Sequence, residues 1–192
     1  MAQDNYLSEH DLSILLQNIP RIPLAHLPTP LEKAANLSKA LKGPPILIKR
    51  DDLTGHALGG NKMRHLEYRI ADAFQQGCDI FVYADSNNAA RQTAAACAKT
   101  GMRCMLLTPA LQRPFQGNML LSVLFGAEVR EIVATKKDEL ATSKKVGLEL
   151  ANSGFKPYVA QAEPMFHMSG IISYLNATLE LQKQLNEANI TK

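Results

Sequence analysis

From residue 46 onward the chain alternates short apolar runs with segments of helical period, and that alternation restricts it to few folds. Residues 46–49, 79–84, 103–108, 129–133 and 157–160 read as strands; residues 61–76, 88–99, 116–125, 136–152 and 168–186 read as helices. The run Ile80-Phe81-Val82-Tyr83-Ala84 is apolar throughout, as in a strand covered on both faces of a parallel sheet. Met63, Leu66, Ile70 and Phe74 share one face of the first of these helices. Leu140, Ser143, Gly147, Leu148 and Ala151 form the expected buried side of the fourth. Gly101 and Gly126 stop the two helices before them. The alternation predicts an α/β fold with an open, mostly parallel sheet and helices on both faces. Ligands in such sheets bind outside the carboxyl ends of the strands.

Upstream, Thr29-Pro30-Leu31-Glu32 has the form of a capping box, with Pro30 at the first helical position. It predicts a helix presenting Leu31, Ala34, Leu37 and Leu41, ended by Gly43-Pro44-Pro45. The first 20 residues are polar with a weak helical pattern and are expected to form an arm or to be partly disordered.

Several function classes are set aside by composition and spacing. A net charge of +3, with no Lys/Arg run longer than two, argues against a nucleic-acid partner. No apolar stretch reaches membrane-spanning length, and the N-terminus has no basic segment followed by an apolar core. With Cys78, Cys97 and Cys104 lacking metal-type spacing, a reducing cytoplasm is expected. His10, His26, His56, His65 and His167 show no i, i+4 pair, so no metal site is expected. Gly-x-Ser-x-Gly, Gly-x-Gly-x-x-Gly and Walker-type Gly-Lys-Ser/Thr are all missing, which weakens hydrolase, dinucleotide and nucleotide readings.

Two segments carry candidate chemistry, both on connections that leave a strand for a helix. Gly59-Gly60-Asn61-Lys62 places a lysine at a helix start, where the helix dipole repels an ammonium group. That position suits a lysine that must lose its charge, as an imine-forming lysine does; a Gly-Gly turn before a solvated lysine is the plainer alternative. Asp85-Ser86-Asn87-Asn88 opens the next helix, where exposed amides suit a carboxylate or phosphate. The alternative there is that Ser86 or Asn87 only caps the helix.

Taken in order, Pro28-Thr29-Pro30-Leu31, Lys49-Arg50-Asp51-Asp52-Leu53, Gly59-Gly60-Asn61-Lys62-Met63-Arg64-His65-Leu66-Glu67-Tyr68 and Ser86-Asn87-Asn88-Ala89-Ala90-Arg91-Gln92 resemble the N-terminal half of a known family. This is the D-cysteine desulfhydrase and 1-aminocyclopropane-1-carboxylate deaminase family of pyridoxal-phosphate enzymes, of the tryptophan-synthase-β-like fold (fold type II). Gly117-Asn118, Leu120-Leu121 and Gly126-Ala127-Glu128 continue the likeness, which spans roughly residues 24 to 185. The resemblance implies pyridoxal 5'-phosphate as cofactor and Lys62 as the catalytic Schiff-base lysine. Asn61 and Asn87 would also contact the cofactor, Asn87 at its 3-oxygen, and Ser86 and Asn88 would hold the carboxylate of a small amino-acid substrate. The implied reaction is β-elimination from a D-cysteine-like substrate or ring-opening deamination.

His65 stands where the family usually has a lysine, and Gln161-Ala162-Glu163-Pro164-Met165-Phe166-His167 replaces a region that is often Gly-rich. Set beside the family, the chain lacks a Gly-rich phosphate loop after Gly170. By the same resemblance, residues 1–65 would be the N-terminal segment of a large domain, carrying the lysine. Residues 66–165 would form a small open α/β domain, and residues 166–192 a helix leading toward a missing C-terminal half. A truncated chain of this kind is expected to form a homodimer or to associate with a complementary C-terminal chain.

Overall fold

The computed structural model describes residues 8–109, 114–133 and 138–190. The first helix, α1 (Glu9–Gln17), is held by a capping box: Ser8 Oγ accepts from the Asp11 N–H at 3.1 Å, and the Asp11 carboxylate accepts from the Ser8 N–H at 3.2 Å. Residues 9–17 are therefore helix, and Leu16 packs in a buried cluster with Tyr68 and Ile172, which corrects the expected arm; residues 1–7 lie outside the described residues.

The region around Thr29 also departs from expectation. Leu31–Lys33 is a strand, β1; helix α2 (Ala35–Leu41) follows, and strand β2 (Leu47–Lys49) pairs antiparallel with β1, Glu32 opposite Ile48. The capping box at Thr29 does not form because its groups are committed elsewhere. Thr29 is fully buried, its N–H donates to Glu180 Oε1 at 2.7 Å, and its hydroxyl donates to Asp51 Oδ1 at 2.8 Å. Helix α2 starts at Ala35 with no side-chain cap and stops at Lys42 in the left-handed region (φ 51°).

The alternating part follows the sequence reading closely. Helix α3 (Lys62–Gln75), strand β3 (Ile80–Ala84), helix α4 (Asn88–Thr100), strand β4 (Arg103–Thr108), helix α5 (Gly117–Leu124), strand β5 (Glu128–Glu131), helix α6 (Glu139–Asn152), strand β6 (Pro157–Val159) and helix α7 (Pro164–Glu187) come in that order. The last four strands form a parallel sheet in the order β5-β4-β3-β6. The chain adds strands outward from β3 to β5, then returns to the other side of β3 with β6. The strand order therefore reverses between β3 and β6, the place where such sheets open a crevice. Gln161 spans that point, donating to the Ala84 carbonyl at 2.8 Å.

Strand periodicity distributes the core. Phe81, Tyr83, Cys104, Leu106 and Tyr158 face one way, against Met63, Leu66, Ile70 and Ala73 of α3 and Ala90, Ala94 and Cys97 of α4. Ile80, Val82, Ala84, Met105 and Leu107 face the other way, against Val146 and Leu150 of α6. Two facial assignments change. Phe74 is exposed at the end of α3, and α6 buries Ser143, Val146 and Gly147 while Leu140 and Leu148 face outward. Gly147 lies against Val159, whose Cγ2 would be 2.5 Å from a Cβ there, so its missing side chain lets α6 approach β6. Lys136 and Lys137, read as the start of this helix, lie outside the described residues. Cys97 and Cys104 are buried and Cys78 is half-buried, all as free thiols.

Helix α7 crosses α3 and carries a buried ionic network. The Arg64 guanidinium is 2% exposed and binds Asp51 (2.8 and 2.9 Å) and Glu180 (2.8 and 3.1 Å); Lys49 also pairs with Glu180. Among the described residues no helix is long and apolar enough to cross a membrane.

Candidate functional site

Lys62 is the first residue of α3, and the turn before it can be made only by glycine. Gly59 (φ 72°) would place a Cβ 1.7 Å from the Asp52 carbonyl oxygen, and Gly60 (φ 129°) would place one 2.5 Å from Gln92 Nε2. Buried Thr54 locks the turn from beneath, accepting from the Gly60 N–H at 2.8 Å and donating to the Gly60 carbonyl at 2.9 Å. The first turn of α3 contains no acidic residue and Asn61 makes no side-chain cap. Among the described residues, the side chain of the half-buried Lys62 makes no hydrogen bond or ion pair.

The second segment leaves β3 and starts α4. Asn87 is the N-cap, its Oδ1 accepting from the Ala89 N–H at 2.9 Å, so the capping alternative holds for its oxygen while its NH2 group stays free to donate. Ser86, Asn87 and Asn88 are all exposed. The Ser86 and Asn87 backbone N–H groups both donate to Asp85 Oδ1, at 2.6 and 3.0 Å. Asp85 Oδ2 accepts from the Tyr83 hydroxyl at 3.3 Å. Burial foremost, with the charge of Asp85, pushes the Tyr83 phenol up to about 12, so it remains a donor.

Arg91 and Gln92 join the two segments. Arg91 donates to the Gly59 carbonyl at 3.2 Å and to Asn88 Oδ1 at 2.9 Å, while Gln92 Oε1 accepts from the Met63 N–H at 3.0 Å. The structure thus brings the lysine turn and the first turn of α4 together. Asn61 turns instead toward α7, donating to the Tyr174 hydroxyl at 2.8 Å. Ser86 and Asn87 also line a cleft of about 360 Å³ with Ala84, Asp85, Leu107, Pro109, Ile132 and Glu139, at the carboxyl ends of the strands; Lys62 does not line it. One turn along α3, His65 is buried edge-on to Tyr174, and its Nε2 has no hydrogen-bond partner among the described residues. Burial, then the charges of Arg69 and Lys62, lower its pKa to about 4, so its ring is neutral at neutral pH.

Sequence reasoning quoted Asp85, Arg91 and Gln92 without giving them a role. A signal existed: Asn88, Arg91 and Gln92 sit at i, i+3 and i+4, one face of a helix, and an Asp before two loop amides is placed for a local turn.

A family model described as "Pyridoxal-phosphate dependent enzyme" matches residues 22–191. A D-cysteine desulfhydrase of Serratia proteamaculans (strain 568) is 38% identical over 186 residues, covering 91% of this chain and 54% of the relative. One from Salmonella paratyphi B is 37% identical over 180 residues, covering 90% and 54%. The chain spans about half the length of these curated relatives. Among solved structures, an ACC deaminase homologue superposes with a TM-score of 0.78 at 32% identity, covering 90% of this chain and 53% of that one. Diaminopropionate ammonia lyase of Escherichia coli, solved with an aminoacrylate-PLP azomethine intermediate, shares the fold with a TM-score of 0.68 at 17% identity, covering 96% and 50%.

Proposed function

We propose, for a chain that belongs to the pyridoxal-phosphate dependent enzyme family, a β-elimination or deamination reaction on a small amino acid. The reading is D-cysteine desulfhydrase-like: D-cysteine and water give pyruvate, ammonia and hydrogen sulfide. Ring-opening deamination of a cyclopropane amino acid is the variant of the same chemistry. Supporting it are the relatives named D-cysteine desulfhydrase and the ACC deaminase homologue at 32% identity. The observation that carries it is Lys62, an amine without a partner among the described residues, on a turn shaped by two glycines and tied to the first turn of α4.

The donor set fits the cofactor. Lys62 Nζ is free to hold its aldehyde carbon, and the Asn87 NH2 group is free to donate to its ring oxygen. When bound, the pyridine ring supplies the electron sink. Lys62 Nζ would take the proton from the substrate α-carbon. Ser86 Oγ and the Asn88 NH2 group hold the substrate carboxylate through side chains, because Asp85 already accepts from the Ser86 and Asn87 amides. The division into a small domain at residues 66–165 flanked by pieces of a larger one is part of the same proposal.

A second reading, a non-catalytic remnant or one part of a split enzyme, is favoured by the exposed apolar residues Met168, Ile171, Tyr174 and Leu175 on α7. Borohydride reduction with pyridoxal phosphate, peptide mapping and a sulfide-release assay separate the readings. The enzyme reading expects label on Lys62, sulfide from D-cysteine, and loss of both in Lys62→Ala. Label on another lysine with Lys62 unmodified removes the assignment; label on Lys62 without sulfide favours the split reading.

A further inference from the structure

We propose that Arg91 and Gln92 form a clamp of positioning residues that holds the 59–63 turn at both ends and fixes Lys62 to the Ser86-Asn87-Asn88 loop as one rigid unit. The inference rests on the function proposed above for the meaning of that unit, but its geometry stands on its own.

Two consecutive side chains from the first turn of α4 reach the two ends of the lysine turn. Arg91 Nη2 donates to the Gly59 carbonyl at 3.2 Å, and Gln92 Oε1 accepts from the Met63 N–H at 3.0 Å. The same side chains reach back to the anion loop: Arg91 Nη1 donates to Asn88 Oδ1 at 2.9 Å, and Gln92 Nε2 donates to the Asn88 carbonyl at 3.3 Å. Arg91 Nη1 makes a further bond to Asn118 Oδ1, at the start of α5, at 2.6 Å. Asn88 is thus one side chain away from each end of the lysine turn.

Stability alone gives no reason for this arrangement. Arg91 is 8% exposed, its guanidinium touches only neutral acceptors among the described residues, and its Nε has no partner. A buried cation without a carboxylate is costly, and an apolar side chain of similar volume would fill the space more cheaply. A planar fork, however, reaches three acceptors in fixed directions, which an apolar chain or a lysine cannot do. Gln92, 2% exposed, has its Nε2 2.5 Å from where a Cβ on Gly60 would stand, and the φ of 129° at Gly60 favours glycine there. The turn residue and the clamp residue are therefore matched to each other.

The test uses the full chain with Arg91→Met, Arg91→Lys, Gln92→Met and Asn118→Ala, read by hydrogen exchange without cofactor and by pyridoxal phosphate labelling with borohydride. The clamp expects amide exchange in residues 59–64 to rise about tenfold in Arg91→Met and Gln92→Met, while the β3 and β4 amides keep their protection. Labelling of Lys62 should fall about fivefold in the same variants, with other lysines unchanged. Arg91→Lys, which keeps the charge and loses the fork, should behave like Arg91→Met; full rescue by lysine overturns the proposal. Should Arg91→Met fail to fold, Gln92→Met and Asn118→Ala decide, and wild-type exchange and labelling in both overturn it. If exchange responds but the wild type does not label Lys62, the clamp stands and the proposed function fails. If the wild type labels Lys62 and every folded variant does so equally, the clamp alone fails.

Discussion

His65 lies on the same face of α3 as Lys62, three residues on, in a site that suits only its neutral form. It is 8% exposed, its ring set against Tyr174 and close to Gly170, and its Nε2 has no partner among the described residues. Burial, with the nearby charges of Arg69 and Lys62, lowers its pKa from 6.5 to about 4. The unfolded chain therefore takes up this proton first as the pH falls. The contribution of His65 is complete above 6.5 and is lost progressively as the pH drops toward about 4. Across that window the loss should approach about 3 kcal/mol in the wild type. His65→Phe should flatten that part of the curve in urea unfolding measured as a function of pH; an unchanged slope would mean that other groups set it. Gly59 and Gly60 show how the residue scale serves the site: positive φ and close neighbours leave no room for a Cβ at either position.

At the scale of elements, α7 is tied to the antiparallel β1–β2 pair and to α3 by charge as much as by apolar contact. Glu180 accepts from Arg64, Lys49 and the Thr29 N–H, so it links three separate segments. Burial works against its carboxylate, but the hydrogen bonds from Arg64 and Lys49 outweigh that and lower its pKa below 4.5. The stabilisation is fully present above 4.5 and disappears as the pH falls through the lower folded-state value. Glu180→Gln leaves Arg64 buried with half of its countercharge and should cost about 3 kcal/mol in urea unfolding at neutral pH. It should also remove part of the acid sensitivity below 4.5. A variant as stable as the wild type would show the network to be replaceable.

At the scale of the whole molecule, the parallel sheet is covered on both faces while α7 is covered on one. Its outer face exposes Met168, Ile171, Tyr174 and Leu175, an apolar stripe at helical spacing. Farther along α7, Leu179 and Leu181 are half-buried. In line with the homodimer expected from the sequence, the purified chain should self-associate in sedimentation velocity. Ile171→Glu should shift it toward monomer with stability within about 0.5 kcal/mol of the wild type, as for exposed substitutions generally. Monomeric behaviour of the unsubstituted chain would remove the argument.

What the sequence by itself determined was everything that rests on near neighbours. The unbroken apolar run Ile80 to Ala84, the helical repeat of Met63, Leu66 and Ile70, and the glycine stop at Gly101 specify strand, helix and end from within a few positions. The glycine-lysine turn and the 86–88 loop were legible for the same reason. Tertiary structure decided the rest, because distant groups compete for the same atoms. Thr29 is not a helix cap because Glu180, 151 positions away, takes its N–H. Residues 31–33 are a strand because β2 offers a ladder that a helix start would forgo. The buried face of α6 follows β6, which fits against Gly147 and Val146 rather than Leu148. The union of Lys62 with the 86–88 loop depends on Arg91 reaching a carbonyl 32 positions back, a contact that no local period encodes.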